Sequence, residues 1–269
     1  MGVDWSAVRG LLIDLDGVVY TGRDPIAGSA SFLERARGEK LPFLLVTNNS
    51  TTSPELVAER LEGMDISVTA DEILTSAQAA AAYIRRHSQA GATVSIVGEA
   101  GLRQAVAEEA LTIVEDSKAN VDWVLAGLDR QFDYQKLTYA TRAILAGARF
   151  VATNADALLP VEGGHVLPGA GTMIAAIQTA TGIQPVVVGK PEPGLFEHGL
   201  LRLGGLQPHQ VAMIGDRLDT DVMGGQRAGL RTILVLSGVT TPQQLAAAMG
   251  KPDATVPSLA AVASLFHWA

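Results

Sequence analysis

The stretch Leu11-Leu12-Ile13-Asp14-Leu15-Asp16-Gly17-Val18-Val19-Tyr20 decides how the rest of the chain is read. An apolar strand that ends in two aspartates is costly unless the carboxylates have a task, because buried charges need partners. Alternation along an extended chain turns Asp14 and Asp16 to the same side. The carboxyl end of a strand is also where open α/β sheets bind ligands. Gly17 then frees the backbone to turn sharply. Two plainer readings stand beside this one: a turn that uses Asp and Gly for backbone reasons, and a calcium loop. The calcium loop fails, since an EF-hand-type loop needs a further oxygen ligand at Val18 and a flanking helix.

Outward from this segment, short apolar runs alternate with helical patterns to the end of the chain. The runs are Leu11–Asp16, Phe43–Asn48, Val94–Gly98, Trp123–Leu128, Phe150–Asn154, Val186–Gly189, Val211–Asp216 and Thr232–Ser237. Most are rich in Val, Ile and Leu, as strands buried on both faces of a parallel sheet are. Helix ends are readable between them. Ser53-Pro54 is an N-cap with proline at the first helical position. Thr241-Pro242-Gln243-Gln244 has capping-box spacing, and Gly229 stands where a helix from about Asp221 should stop. The alanine run Ala79–Ala82 reads as helix. Strand–helix alternation predicts an α/β, doubly wound parallel-sheet fold.

The 269 residues suit one large domain or two modest ones, and 48% hydrophobic against 18% charged content excludes disorder. A net charge of −8 argues against gripping nucleic acid through the general surface field, but not against anionic small substrates held by a local cation. With no cysteine there can be no disulfide, thiolate zinc site or cysteine nucleophile. Met1 to Arg9 contains no signal-type apolar region, and no run reaches the ~18 residues of a membrane helix. The expectation is a cytoplasmic protein without membrane or nucleic-acid partners, so the sequons at Asn48 and Asn49 carry no weight.

Three further strand ends carry chemistry. Gly215-Asp216-Arg217-Leu218-Asp219-Thr220-Asp221 again puts carboxylates after an apolar run, although a helix start also favours Asp, and Asp219 in particular could be a cap. Val46-Thr47-Asn48-Asn49-Ser50 offers a phosphate a hydroxyl and backbone N–H groups, or is an ordinary Asx or Ser/Thr turn. Gly189-Lys190-Pro191-Glu192-Pro193 holds a lysine in a stiffened turn, or a solvated surface charge. The candidate catalytic residues fall before Ser50 or after Gly189. The intervening stretch therefore reads as an inserted domain: 80–184, against a discontinuous core of 1–79 and 185–269. Gly169-Ala170-Gly171 lacks the later Gly or Ala of a dinucleotide fingerprint, and the five histidines form no metal-ligand spacing.

In this order, Asp14-x-Asp16-Gly17, Thr47, Lys190 and Gly215-Asp216-x-x-x-x-Asp221 resemble the four motifs of haloacid dehalogenase (HAD) superfamily hydrolases. Val46–Ser50, Gly127–Arg130, Phe150–Asp156, Pro168–Gly171, Gly189–Pro193 and Leu234–Val239 resemble the 4-nitrophenylphosphatase and NagD-like members of its class IIA branch. The resemblance runs over nearly the whole chain. It implies a Rossmann-like HAD core with an inserted α/β cap, and a Mg²⁺-dependent phosphatase of small-metabolite phosphate monoesters.

On that resemblance Asp14 is the nucleophile that forms an aspartyl-phosphate, and Asp16 is the general acid and then base. Thr47, the N–H of Asn48 and Lys190 hold the phosphoryl group. Asp14, the backbone carbonyl of Asp16 and Asp216 bind Mg²⁺, while Asp221 holds metal-bound waters or orients Lys190. Four carboxylates repel a phosphate by roughly 4 kcal/mol per unit-charge pair at about 4 Å and an effective dielectric near 20. One lysine does not offset that, whereas a divalent cation does. The alternatives are a phosphoryl transferase of the same superfamily and a non-catalytic phospho-ligand sensor; Asp16 argues against dehalogenation. The expected cap covers the core and reads the leaving group through Ala152–Pro160, with Asn154, Asp156 and Leu159 as its specificity residues. The resemblance also implies a homodimer through the cap.

Overall fold

The structure is a computed structural model that describes residues 3–115, 120–160, 165–266 and 268. Met1 and Gly2, the first residues of the stretch that lacks a signal-type apolar region, lie outside the described residues. The chain divides into two compact units. One comprises Met1–Thr47, Pro54–Leu74 and Lys190–Ala269; the other comprises Asn48–Ser53 and Thr75–Gly189.

The first unit is built on a six-stranded sheet in the order Ala254–Val256, Arg231–Val235, Val211–Gly215, Gly10–Asp14, Phe43–Thr47, Ile73–Thr75. The pairs from Ala254–Val256 across to Phe43–Thr47 are all parallel. Numbered within this sheet the order is 6-5-4-1-2-3, that of the dinucleotide-binding Rossmann sheet, with the strand order reversing between Gly10–Asp14 and Val211–Gly215. Side chains alternate between two covered faces. Leu11, Ile13, Leu45, Ile214 and Ile233 pack with Phe32 and Leu33 of the helix Ser29–Gly38 and with Val57 and Leu61 of the helix Pro54–Glu62. Leu12 faces the other way. The helix Pro193–Arg202 comes so near that a Cβ on Gly199 would lie 2.9 Å from a Leu12 methyl. Each Leu or Ile buried this way contributes roughly 1.5–3 kcal/mol.

The second unit has its own parallel sheet of five strands: Val186–Val187, Arg149–Ala152, Trp123–Ala126, Thr93–Val97, Thr112–Ile113. Its numbering, 5-4-3-1-2, is the flavodoxin-like order. Val97, Val124, Ala126, Phe150 and Ala152 bury against Ala140 and Ile144 of the helix Tyr134–Leu145 and against Ile174 and Ile177 of the helix Ala170–Thr181. An antiparallel hairpin pairs Leu158–Pro160 with Val166–Pro168.

The α/β class, the parallel core and the separate inserted layer are as the sequence predicts. The limits between the units lie elsewhere. The helix Ser76–Arg86 belongs whole to the second unit, capped by Thr75 and Gln78, so a division at 79/80 would cut it. Val186 and Val187 pair with Val151 and Ala152, which carries the second unit past 184 to Gly189. No helix among the described residues is long and apolar enough to cross a membrane.

Candidate active site

Three central strands of the first unit end side by side. Asp14 is level with Val46, one residue before Thr47, and the pair Ile13–Ile214 precedes Gly215 and Asp216. Adjacent parallel strands thus bring Asp14, Thr47 and Asp216 to one edge of the sheet, at the point where its order reverses. Asp16 lies two residues beyond Asp14, in an isolated bridge with Tyr20. The turn between them is tied by the Gly17 N–H, which donates to Tyr20 O at 2.8 Å. Gly17 has φ +77°, and a Cβ there would collide with the Asp216 carboxylate. Glycine is needed for both reasons.

The charges concentrate around Lys190, which is 4% exposed. Its Nζ donates to Asp14 Oδ1 at 2.5 Å and to Asp221 Oδ1 at 2.7 Å. Asp221 sits in a π-helical turn, Leu218–Val222, and its Oδ2 accepts from the Arg217 N–H at 3.1 Å. Such wide turns recur at functional sites because they re-aim a side chain. Asp216 Oδ2 accepts from the Val239 N–H at 2.6 Å. Its Oδ1 is buried with no hydrogen-bond partner among the described residues.

Carboxylate oxygens of Asp14, Asp216 and Asp221 lie within 4.8 Å of one another. Burial pushes the Asp14 carboxyl up to about 8, with Lys190 opposing and Asp221 and Asp216 adding to the rise. Burial, then Asp221, raises Asp216 to about 6, opposed by the Val239 N–H and by Lys190. Desolvation pulls the Lys190 ammonium down, but Asp14 and Asp221 outweigh it and its pKa rises. One ammonium faces three carboxylates, and a buried carboxylate oxygen has no donor among the described residues. A divalent cation that prefers hard oxygen ligands answers both deficits, so the site is able to chelate one.

The remaining predicted residues separate into two groups. Asp16 is exposed and stands outside the carboxylate cluster. Partial desolvation raises its carboxyl, opposed by Arg60. Asp219 pairs with Arg217 at 2.9 Å on the surface. Asn48, Asn154, Asp156 and Leu159 all belong to the second unit. There Asn154 is buried, and Leu159 lines an apolar cavity of about 390 Å³ with Leu128, Phe132, Leu167 and Met173.

Two supports do not stand out in the sequence. Gly238 is required because a Cβ there would collide with Asp216 Oδ2, and Ser237 Oγ donates to Gly17 O at 2.7 Å. Arg60 is the other. Its guanidinium lies 4.6 Å over the Tyr20 ring and donates to Gly22 O at 2.6 Å, which braces the turn that carries Asp16. Ser237-Gly238 lies within the Leu234–Val239 stretch that carries the resemblance, but no role at the site follows from that, and Arg60 looks like any exposed helix residue.

A model of the haloacid dehalogenase-like hydrolases matches residues 11–112, and a HAD-hydrolase-like model matches 187–262. The chain is 44% identical to the acid sugar phosphatase of Staphylococcus haemolyticus over 88% of both proteins. It is 38% identical to the 5'-nucleotidase YutF of Bacillus subtilis over 93% of this chain and 96% of that one. Among solved structures, the glycerol phosphate phosphatase of Mycobacterium tuberculosis in complex with magnesium superposes with a TM-score of 0.87 at 38% identity. That match covers 96% of this chain and 77% of the other.

Proposed function

The chain belongs to the haloacid dehalogenase-like hydrolase family and is a phosphatase of small phosphorylated metabolites, and from that premise we propose that Asp14 is its nucleophile. A carboxylate oxygen of Asp14 attacks phosphorus, and the ester oxygen leaves with a proton from Asp16. Asp16, now ionised, takes a proton from the water that attacks the aspartyl-phosphate, which releases phosphate and restores Asp14. Thr47 Oγ and the Asn48 N–H donate to phosphoryl oxygens, and Lys190 balances part of their charge. Solvent access at Asp16 supports its role, since this group must meet both the leaving oxygen and water.

Asp14, the backbone carbonyl of Asp16 and Asp216 would hold Mg²⁺, which when bound supplies charge neutralisation and an in-line alignment of phosphate and nucleophile. Asp221, with its oxygens engaged by Lys190 and the Arg217 N–H, fits the orienting role better than direct ligation. The observation that carries the proposal is the Asp14–Lys190–Asp221 chain beside the unpartnered Asp216 Oδ1. The test is phosphate release from 4-nitrophenyl phosphate with Mg²⁺. Asp14→Asn should abolish turnover while the folded spectrum persists, because the amide is nearly isosteric but does not attack phosphorus. Wild-type-like turnover by this variant would end the proposal.

The named relatives are an acid sugar phosphatase, a 5'-nucleotidase and a glycerol phosphate phosphatase, so shared motifs do not choose the leaving group. We assign that choice to the second unit, with Leu159 and its apolar cavity as the strongest candidate.

A further inference from the structure

Asn154 and Asp156 converge on one residue of the second motif. The Asn48 carbonyl accepts from Asn154 Nδ2 at 2.8 Å and from Ser76 Oγ at 2.7 Å. The Asn48 side chain donates from Nδ2 to Asp156 Oδ2 at 3.0 Å. A carboxylate only accepts, so this contact fixes which way round the Asn48 amide lies. The two loop residues also brace each other, since the Asp156 N–H donates to Asn154 Oδ1 at 3.1 Å. Asn154 and Ser76 are both buried, so their polar atoms are bound into the arrangement. Behind Asn48 stands Gly189, where a Cβ would lie 2.7 Å from Asn48 Oδ1. Backbone and side chain of Asn48 are both held, by residues more than a hundred positions away in sequence.

We infer that Asn154 and Asp156 are positioning residues for the phosphoryl grip, which set the orientation of Asn48, and that they do not read the leaving group. The inference rests on the proposed role of the Asn48 N–H as a phosphoryl donor. A donor aimed in advance contributes more than one that must be ordered when substrate arrives. The phosphoryl group is common to every substrate, so loosening Asn48 should weaken all of them alike. It should also weaken inorganic phosphate, which has no leaving group at all.

The experiment uses the full chain with Mg²⁺ and three readouts: kcat/KM for 4-nitrophenyl phosphate, kcat/KM for glycerol phosphate, and competitive inhibition by inorganic phosphate. Asp156→Ala and Asn154→Ala should each raise the phosphate inhibition constant about tenfold and lower both kcat/KM values by a similar factor, the size of one missing hydrogen bond. Asp156→Asn keeps an acceptor for Asn48 and should stay within about threefold of the parent. Melting curves identify any variant that fails to fold, and the mild Asp156→Asn substitution keeps the comparison available. A loss confined to one ester with phosphate inhibition unmoved would overturn the inference and make Asp156 a leaving-group reader. So would parental values in Asp156→Ala, or equal damage in Asp156→Asn and Asp156→Ala. Failure of the underlying mechanism shows separately, as turnover surviving in Asp14→Asn with the loop intact.

Discussion

At the residue scale, Asp14 and Asp16 are two positions apart and live in different media. Asp14 is enclosed with Lys190 at 2.5 Å, whereas Asp16 meets solvent beside a turn. In the proposed mechanism that difference divides nucleophile from proton carrier. Asp16→Asn should lower kcat by the ~10²–10⁴-fold usual for removal of a general acid–base group. The fall should be smaller for 4-nitrophenyl phosphate than for an alkyl phosphate, because a good leaving group needs little protonation; equal effects would count against Asp16 as proton donor. Gly238 gives a second prediction. A methyl there cannot coexist with Asp216 Oδ2, which the Val239 N–H holds at 2.6 Å. Gly238→Ala should therefore move a carboxylate of the cation site and raise the Mg²⁺ concentration needed for half-maximal activity by about tenfold or more, the scale on which metal affinity falls when a ligand's supporting partner is removed. An unchanged Mg²⁺ titration would show that Asp216 is not held by this turn.

At the element scale, legibility follows the number of side chains available to display a pattern. Gly10–Asp14, Phe43–Thr47, Val211–Gly215 and Arg231–Val235 each run five residues, and the first three lead into a chemically distinctive group, so strand and site residue are read together. Ile73–Thr75, Thr112–Ile113 and Ala254–Val256 have two or three residues at sheet edges, too few to show a period, and the sequence does not announce them. Val186–Val187 is visible as a strand, but its sheet is not, because pairing with Val151 and Ala152 is a long-range matter. The attachment of Asn48–Ser53 to the second unit is hidden for the same reason: it depends on polar pairings such as Asn154 to Asn48. The hairpin Leu158–Pro160 with Val166–Pro168 carries its own prediction. Leu159 lines an apolar cavity, so Leu159→His should reorder a panel of phosphate esters, shifting the discrimination between pairs of them by about 1–3 kcal/mol. A small generic ester such as methyl phosphate, which offers almost no leaving group to discriminate, should be hydrolysed nearly as before. An unmoved ranking would place specificity elsewhere.

At the scale of the whole molecule, the carboxylate cluster links stability to both pH and metal. Burial first, then Asp221 and Asp216 against the pull of Lys190, brings Asp14 to about 8; burial and Asp221 bring Asp216 to about 6. In the unfolded chain both groups titrate at about 4. Between these values the native state binds more protons than the unfolded state, so the metal-free protein loses stability as pH rises. The window runs from about 4 to 8 for Asp14 and from about 4 to 6 for Asp216. On the proposed site Mg²⁺ would act in the opposite sense, since it would bind the ionised carboxylates that the native state brings together, and protons would compete with it. At a hundred times its dissociation constant a ligand adds about 2.7 kcal/mol, which in a chain of this size is several degrees of Tm. In EDTA, Tm should therefore fall between about pH 5.5 and 8, and the Mg²⁺-induced rise in Tm should grow over the same interval. Asp216→Asn keeps the sheet but removes a proposed metal ligand, so most of the Mg²⁺ effect should disappear at every pH. Thermal melts of the two proteins, with and without Mg²⁺ at several pH values, measure all three. A Mg²⁺ shift independent of pH, or one that survives intact in Asp216→Asn, would place cation binding away from this cluster.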